Sequence, residues 1–435
     1  MFKPNKSFLS ANIWKYRLVF WLGAIFIGLL IAAMTLLSEW AAELYRTTSL
    51  AYPWFNFVVA PFGLAFTAWL TFRFFPGSQG SGIPQVKTAL EIPYTLDERS
   101  KLVSLRIAIG KTFLPILGLL SGASVGFGGP ATHVGASLMS SLAKAANFPS
   151  HYMSKGLLLA GSAAGFAAMF SAPLAGIMFA IEEMGRTLEE RVSSLVLTAI
   201  IFSGVTAYSI LHHNVFFTDN ALAFPWGESW LAIPLCGVVG GLLGGIFSRI
   251  IVSGNHLLKK LQFSIVLVAF VCGGIIALLG FLSHGDSFGT GYQLAKSIIY
   301  SDAPIDPMLP VYKMLATCAT FFSGIPSGIF VPAIATGAGF GANLAHWFPI
   351  APASVMILLT ITAYFSGMLQ SPLTSFAIVL EITHSHEISI PIMAAAFIAS
   401  GISKLINPQP LYRALCNAYQ QYPVQPLDYD QQQNK

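Results

Sequence analysis

The chain has 435 residues, of which 55% are hydrophobic and 9% charged, with a net charge of +5 at neutral pH. Soluble domains carry about 25% charged residues, so at a mean hydropathy of +0.68 this is a polytopic membrane protein, not a water-soluble fold. Its 39 glycines and 25 prolines suit kinked, interrupted helices and argue against a β-barrel, and the dispersed positive charge leaves no nucleic-acid footprint.

In chain order, a basic head (Lys3, Lys6, Lys15, Arg17) leads into an apolar run over 18–37. A signal peptide has an apolar region of about 7–15 residues, whereas this one runs about 20. It ends at Leu36-Leu37-Ser38-Glu39-Trp40 without a cleavage site, so a first membrane helix is predicted. The basic flank set against Glu39 and Glu43 puts the N-terminus in the cytoplasm. Further apolar segments fall at 53–75, 103–122, 130–146, 154–170, 172–184, 192–211, 230–253, 262–283, 310–323, 329–346, 353–369, 372–382, 388–402 and 404–419. Several are shorter than the roughly 20 residues of a perpendicular span, which predicts tilted and re-entrant pieces. Polar joints at Asp97-Glu98-Arg99, Glu189-Glu190-Arg191 and Lys259-Lys260 mark exposed loops. Gly237, Gly240, Gly241, Gly244 and Gly245 place small residues on one helical face, a pattern for close helix packing. Cys236, Cys272, Cys318 and Cys416 have no metal spacing and read as small buried apolar residues.

The most informative stretch is Gly126-Phe127-Gly128-Gly129-Pro130. Here a long apolar run breaks on glycines, and Pro130 reads as the start of a new helix. A broken helix in a membrane is tolerated where it lines a cavity or is buried by protein. Free N–H groups at such a helix start attract anions. Two similar breaks occur, at Gly80-Ser81-Gly82-Ile83-Pro84 and at Gly324 to Pro332. The chain also repeats itself. Pro173-Leu174 with Glu182 returns as Pro372-Leu373 with Glu381, 199 positions on (372 − 173), with the same Pro-to-Glu spacing. The break before Pro130 returns before Pro332, 202 positions on (332 − 130). Broken helices at matching positions of two halves point to a midplane substrate site in an inverted-repeat transporter. Several helix dipoles could hold a chloride-sized anion without a full positive charge, which would bind it too tightly to release it.

These motifs resemble the CLC family of chloride channels and proton-coupled antiporters. The resemblance rests on Gly80–Pro84, Gly126–Pro130, Ala172 to Met184, Ser327–Pro332 and Pro410-Leu411-Tyr412, and it runs in order from about residue 15 to 415. It implies an all-α, inverted-topology repeat with tilted, broken and re-entrant helices, the halves at about 50–212 and 228–402, and a C-terminal helix over 404–419. It further implies a single transmembrane domain over 1–435 without a cytoplasmic regulatory domain, a homodimer with one anion pore per subunit, and a multi-pass place in a bacterial inner membrane with both termini cytoplasmic. Chloride is the transported ligand, and no cofactor or metal is implied. By position, Ser81 and Tyr412 supply hydroxyls to the anion, and backbone at Gly82, Gly128–Gly129 and Ile329–Phe330 completes the path. Glu183 matches the inner proton-transfer glutamate.

The departure from the family pattern is at Gly128, where the family carries a gate glutamate within Gly-Arg/Lys-Glu-Gly-Pro. Glycine cannot titrate or block, so the expectation is passive anion flow. A chloride/proton antiporter with a substitute proton carrier is the alternative, and a non-conducting membrane sensor or scaffold is the alternative of another class. His133, just over one turn into the same helix, is a candidate pH sensor or a polar packing residue. Gly122-Ala123-Ser124-Val125-Gly126 fits a nucleophile-elbow pattern, but it ends an apolar helix instead of following a strand, so no enzyme is expected. His384, His386 and Glu387 lack the further ligands of a metal site.

Overall fold

No proline falls between Ala11 and Tyr52, and the first helix accordingly does not stop where its apolar run stops. It spans Ala11–Ala51 (α1), well beyond the predicted 18–37, because the polar residues after Leu37 still favour helix. At 1.5 Å per residue its 41 residues reach about 60 Å, twice the hydrocarbon thickness of a bilayer. A computed structural model describes residues 11–91, 101–146, 151–185, 194–211, 224–225, 227–300, 305–383 and 387–417. The predicted loops at 97–99 and 189–191 and the histidines 384 and 386 lie outside these residues.

The remaining helices follow in two matching series. The first is α2 (Asn56–Phe74), α3 (Ile83–Glu91), α4 (Leu105–Leu119), α5 (Gly128–Ala145), α6 (His151–Phe170), α7 (Pro173–Phe179) and α8 (Ser194–Leu211). A π turn, Ala180–Met184, extends α7. After the long α9 (Ala232–Leu261), the second series is α10 (Ile265–Leu282), α11 (Tyr292–Tyr300), α12 (Leu309–Phe322), α13 (Phe330–Trp347), α14 (Ala353–Leu369), α15 (Pro372–Thr383) and α16 (Ser389–Ile406). A short α17 (Leu411–Cys416) closes the described chain. The two series match down to local strain. Ser171 and Gln370, each two residues before a helix-opening proline, both adopt the left-handed conformation, with φ of 52° and 59°.

Among the described residues, six helices are long and apolar enough to cross a membrane, and only isolated bridges stand in for strands. Large apolar side chains such as Phe62, Phe66, Phe113, Leu267 and Phe397 are exposed around the outside. Buried polar residues cluster inside, as expected when lipid is the outer solvent.

Three boundaries differ from the sequence reading. The helix after the first break begins at Gly128, two residues before Pro130, because a proline is also accommodated in the unpaired first turn, whereas its counterpart begins at Phe330, within one residue of the predicted 329. Lys259 and Lys260, expected in a loop, lie in the last turn of α9. The predicted 404–419 helix is divided. Residues 404–406 finish α16, and the chain turns through Asn407 to Pro410 before α17, since Pro408 and Pro410 cannot continue a helical ladder. The helices α3 and α11 were not read from hydropathy; each has only nine residues and carries polar groups.

The glycine face of α9 packs as expected against α14 and α16. A side-chain carbon at Gly244 would strike the Tyr364 carbonyl and come within 2.7 Å of the Met368 nitrogen, and one at Gly241 would meet the Ala399 backbone at 2.7 Å. All four cysteines are free and buried. Gly244→Leu should therefore part α9 from α14, costing about 1–3 kcal/mol or more by overpacking. Thermal melting in detergent would show the loss. Gly274→Leu, facing open space within 4 Å, should melt like the parent.

Candidate functional site

The three glycine breaks, far apart in sequence, meet in one place. Gly126 and Gly328 exchange backbone hydrogen bonds in both directions, at 2.9 and 2.7 Å. Gly80 donates to the Ile325 carbonyl and accepts from Ser327, each at 3.2 Å. The N-terminus of α5 is thus fixed beside that of α13, with the first break clamped to the third. Helix starts leave their first N–H groups without intrahelical partners. In α5 the first N–H to return a bond is that of Ala131, to Phe127, and in α13 it is that of Ala333, to Ile329. The amides of Gly128, Gly129 and Phe330 precede those points.

Ser81 and Tyr412 arrive at the same place. Both are almost fully buried, at 2% and 1% exposure. Tyr412 lies within reach of Ser81, and neither hydroxyl makes a hydrogen bond of good geometry among the described residues. Buried hydroxyls are ordinarily paired, so two adjacent hydroxyls without a well-formed partner make this a polar spot in an apolar interior. Gly129 allows this approach, since any side-chain carbon there would collide with Ser81 Oγ. Gly82 lies behind the site, with His133 and Lys111 packed against it.

Gly128 does not open onto empty space. Ring carbons of Phe330 come within 3.1 Å of the point where a side-chain carbon at 128 would sit. That ring is fully buried, stacks on Tyr412 at 6.1 Å between centroids, and packs against Phe166 and Phe365 at 5.3 Å and Phe170 at 6.1 Å. An aromatic ring therefore lies over the position where a gate carboxylate was expected. Phe127, standing where the family pattern has Arg or Lys, is fully buried as well.

Glu183 is not free. Its carboxylate pairs with Lys87 Nζ at 2.7 Å and accepts from the Ser371 hydroxyl at 2.9 Å, and it is 5% exposed. Glu182 is hydrogen-bonded as well. It accepts from the Leu373 and Thr374 amides at 3.2 and 2.8 Å, capping α15. Glu381 does the same for α7 through Leu174 at 2.9 Å and Ala175 at 2.6 Å. Each half thus lends a carboxylate to the helix start of the other, where N–H groups and the dipole favour negative charge. His133 Nε2 donates to the Leu102 carbonyl at 2.7 Å, and the ring is fully buried.

Two lysines escaped the sequence reading. Lys111 Nζ donates to the Gly80 carbonyl at 2.5 Å, and Lys313 Nζ donates to the carbonyls of Ser287, Phe288 and Gly289 at 3.0, 3.1 and 2.9 Å. Both are fully buried and occupy matching places in α4 and α12. The signal was present: each is a cation inside an otherwise apolar segment, where ionisable residues are functional by default. Breaking the inner pair offers a direct check. Lys87→Met should cost about 3–5 kcal/mol by stranding a buried charge, visible as a lower melting temperature in detergent. Adding Glu183→Gln should restore most of it.

Comparisons with known proteins bear on the family and the fold. The model of the voltage gated chloride channel family matches residues 63–404. The H(+)/Cl(-) exchange transporters ClcA of Yersinia pestis bv. Antiqua (strain Angola) and Yersinia pseudotuberculosis serotype O:3 (strain YPIII) are each 30% identical over 366 residues, covering 80% of this chain and 74% of theirs. The fold is similar to that of a slow cyanobacterial Cl-/H+ antiporter (TM-score 0.77, 22% identity, 92% of this chain and 98% of that one). It is also similar to a eukaryotic CLC transporter (TM-score 0.78, 19% identity, 93% and 74%). Members of this family move ions and are not enzymes. With the family model covering most of the sequence and three glycine breaks meeting at its centre, the chain belongs to the voltage gated chloride channel (CLC) family.

Proposed function

We propose that the chain conducts chloride passively, as a homodimer in a bacterial inner membrane, without coupling the anion to a proton. The anion would be held by the Ser81 and Tyr412 hydroxyls and by backbone at Gly82, Gly128–Gly129 and Ile329–Phe330. One observation carries the reading: neither of the two positions at which the family pattern places a proton-carrying glutamate, 128 and 183, offers a free carboxylate. Gly128 has no titratable group, and Glu183 is committed to Lys87 at 2.7 Å. A relay needs a carboxylate free to turn between its proton donor and acceptor, whereas this one is tied on both oxygens, to Lys87 and to the Ser371 hydroxyl. The Phe330 ring packs between Tyr412 and Phe170, and in this reading conduction requires that ring to swing aside.

The relatives named as exchangers make proton coupling the competing reading. Chloride flux from reconstituted liposomes under opposed chloride and pH gradients separates the two. The reversal potential should follow chloride alone and ignore the pH gradient; a shift toward the proton potential would mean exchange, and absence of flux would mean a sensor. Gly128→Glu should also change the pH dependence of flux relative to the parent, with the Phe330 ring giving way by a few tenths of an ångström to admit the first side-chain carbon. A pH profile identical to the parent's in that variant would show that position 128 does not face the ion path.

A further inference from the structure

The Lys87–Glu183 end of the site has a counterpart at the other end of α7. Glu183 lies where that helix and its π turn finish, while Ser171 lies just before the helix starts. Ser171 lines a small cavity of about 40 Å³ together with Glu39, Phe170, Thr290, Tyr292 and Val331. The floor of this cavity adjoins the pore, since Phe170 packs on the Phe330 ring over Gly128 and Val331 is the next residue after Phe330. A wider cavity of about 750 Å³, partly open to solvent, lies next to it and is lined by Trp40, Arg46, Asp286 and Gly289 to Gly291. Glu39 and Thr290 line both cavities. They are the wall common to the two cavities, and so mark the neck between them.

From this placement we infer that Glu39, on α1, is the proton-binding gate residue of this chain, charging the neck to repel anions and admitting them when protonated. The inference rests on the passive-conduction reading and adds a control to it. The missing carboxylate at 128 would then have a functional substitute, supplied by a different helix and set further out along the path. A unit negative charge in a partly desolvated neck opposes a chloride ion by Coulomb repulsion that water cannot fully screen. Thr290 is committed locally, its hydroxyl accepting from the Tyr292 amide at 3.2 Å.

Among the described residues, Glu39 is the acidic side chain that lines both cavities. From α11 come Lys296, the cation that acts on it, and Tyr292. From the loop before α11 comes Asp286, which is paired with Arg46 of α1 at 3.0 Å. On α1 itself, Glu43 lines only the wide cavity. From α8 comes Tyr208, and from α15 comes Glu381, whose carboxylate is held by the Leu174 and Ala175 amides.

The test uses the full-length protein in liposomes with a chloride gradient, reading initial chloride efflux while the pH on the Glu39 side is varied from acid to alkaline. Flux should rise by about three- to tenfold on acidification, the scale of one screened unit charge at several ångströms. Glu39→Gln should give a flat profile at the high, acid-like level, and Glu43→Gln should keep the parent profile. Lys296→Met removes the cation that favours the ionised carboxylate, so the midpoint of acid activation should move to higher pH; this variant serves if Glu39→Gln does not fold. A parent profile that is flat, or a Glu39→Gln variant that keeps the parent response, overturns the assignment, as does absence of flux in every protein. The reversal potential in the same vesicles separates the two claims. If it shifts with the pH gradient in the parent but not in Glu39→Gln, passive conduction fails while Glu39 stands as the proton-binding residue.

Discussion

The fold depends on one small contact, the reciprocal backbone hydrogen bonds between Gly126 and Gly328. Each glycine ends an interruption in a helix that a hydrocarbon environment would otherwise forbid, because backbone N–H and C=O groups left bare in lipid are costly. Each satisfies the other's polar groups at the point where helix α5 or α13 begins. The site therefore arises from the way two defective helices make each other tolerable. Only glycine permits it: a side-chain carbon at Gly328 would meet the Gly126 carbonyl oxygen at 2.5 Å.

The same reciprocity is repeated in charge. Glu182 of the first half caps α15 of the second, and Glu381 of the second caps α7 of the first. Lys111 and Lys313 hold the carbonyls of matching glycine loops from behind. Helix dipoles and buried amines are thus fixed by covalently distant parts of the chain, which keeps them from collapsing onto an arriving anion. Such preorganisation matters for conduction, since an ion must be held strongly enough to enter and weakly enough to leave.

Much of this was legible in the sequence, and the failures have physical causes. The repeat showed itself as recurring proline–glutamate spacing, and the convergence of the breaks followed from their duplication. Ser81, Tyr412 and the glycines of α5 do come together with Ile329 and Phe330. The helices α3 and α11 were hidden because hydropathy reports burial in lipid, and these short pieces are buried in protein instead. The Lys87–Glu183 pair was invisible because nothing local links two residues 96 positions apart. Nor could the sequence say that the absence of a side chain at 128 would be filled by the Phe330 ring, since a glycine announces space but not its occupant. Glu39 read as a flanking charge because its helix was expected to end before it.

The central claim is that anion movement here carries no proton with it, because Gly128 cannot hold one and Glu183 is held by Lys87. The most direct measurement records proton movement with a pH electrode while a chloride gradient drives efflux from vesicles containing the purified protein. Chloride should leave at a measurable rate with no accompanying proton uptake beyond that of protein-free vesicles. Proton uptake in fixed proportion to chloride release, abolished when the chloride gradient is removed, would contradict the account.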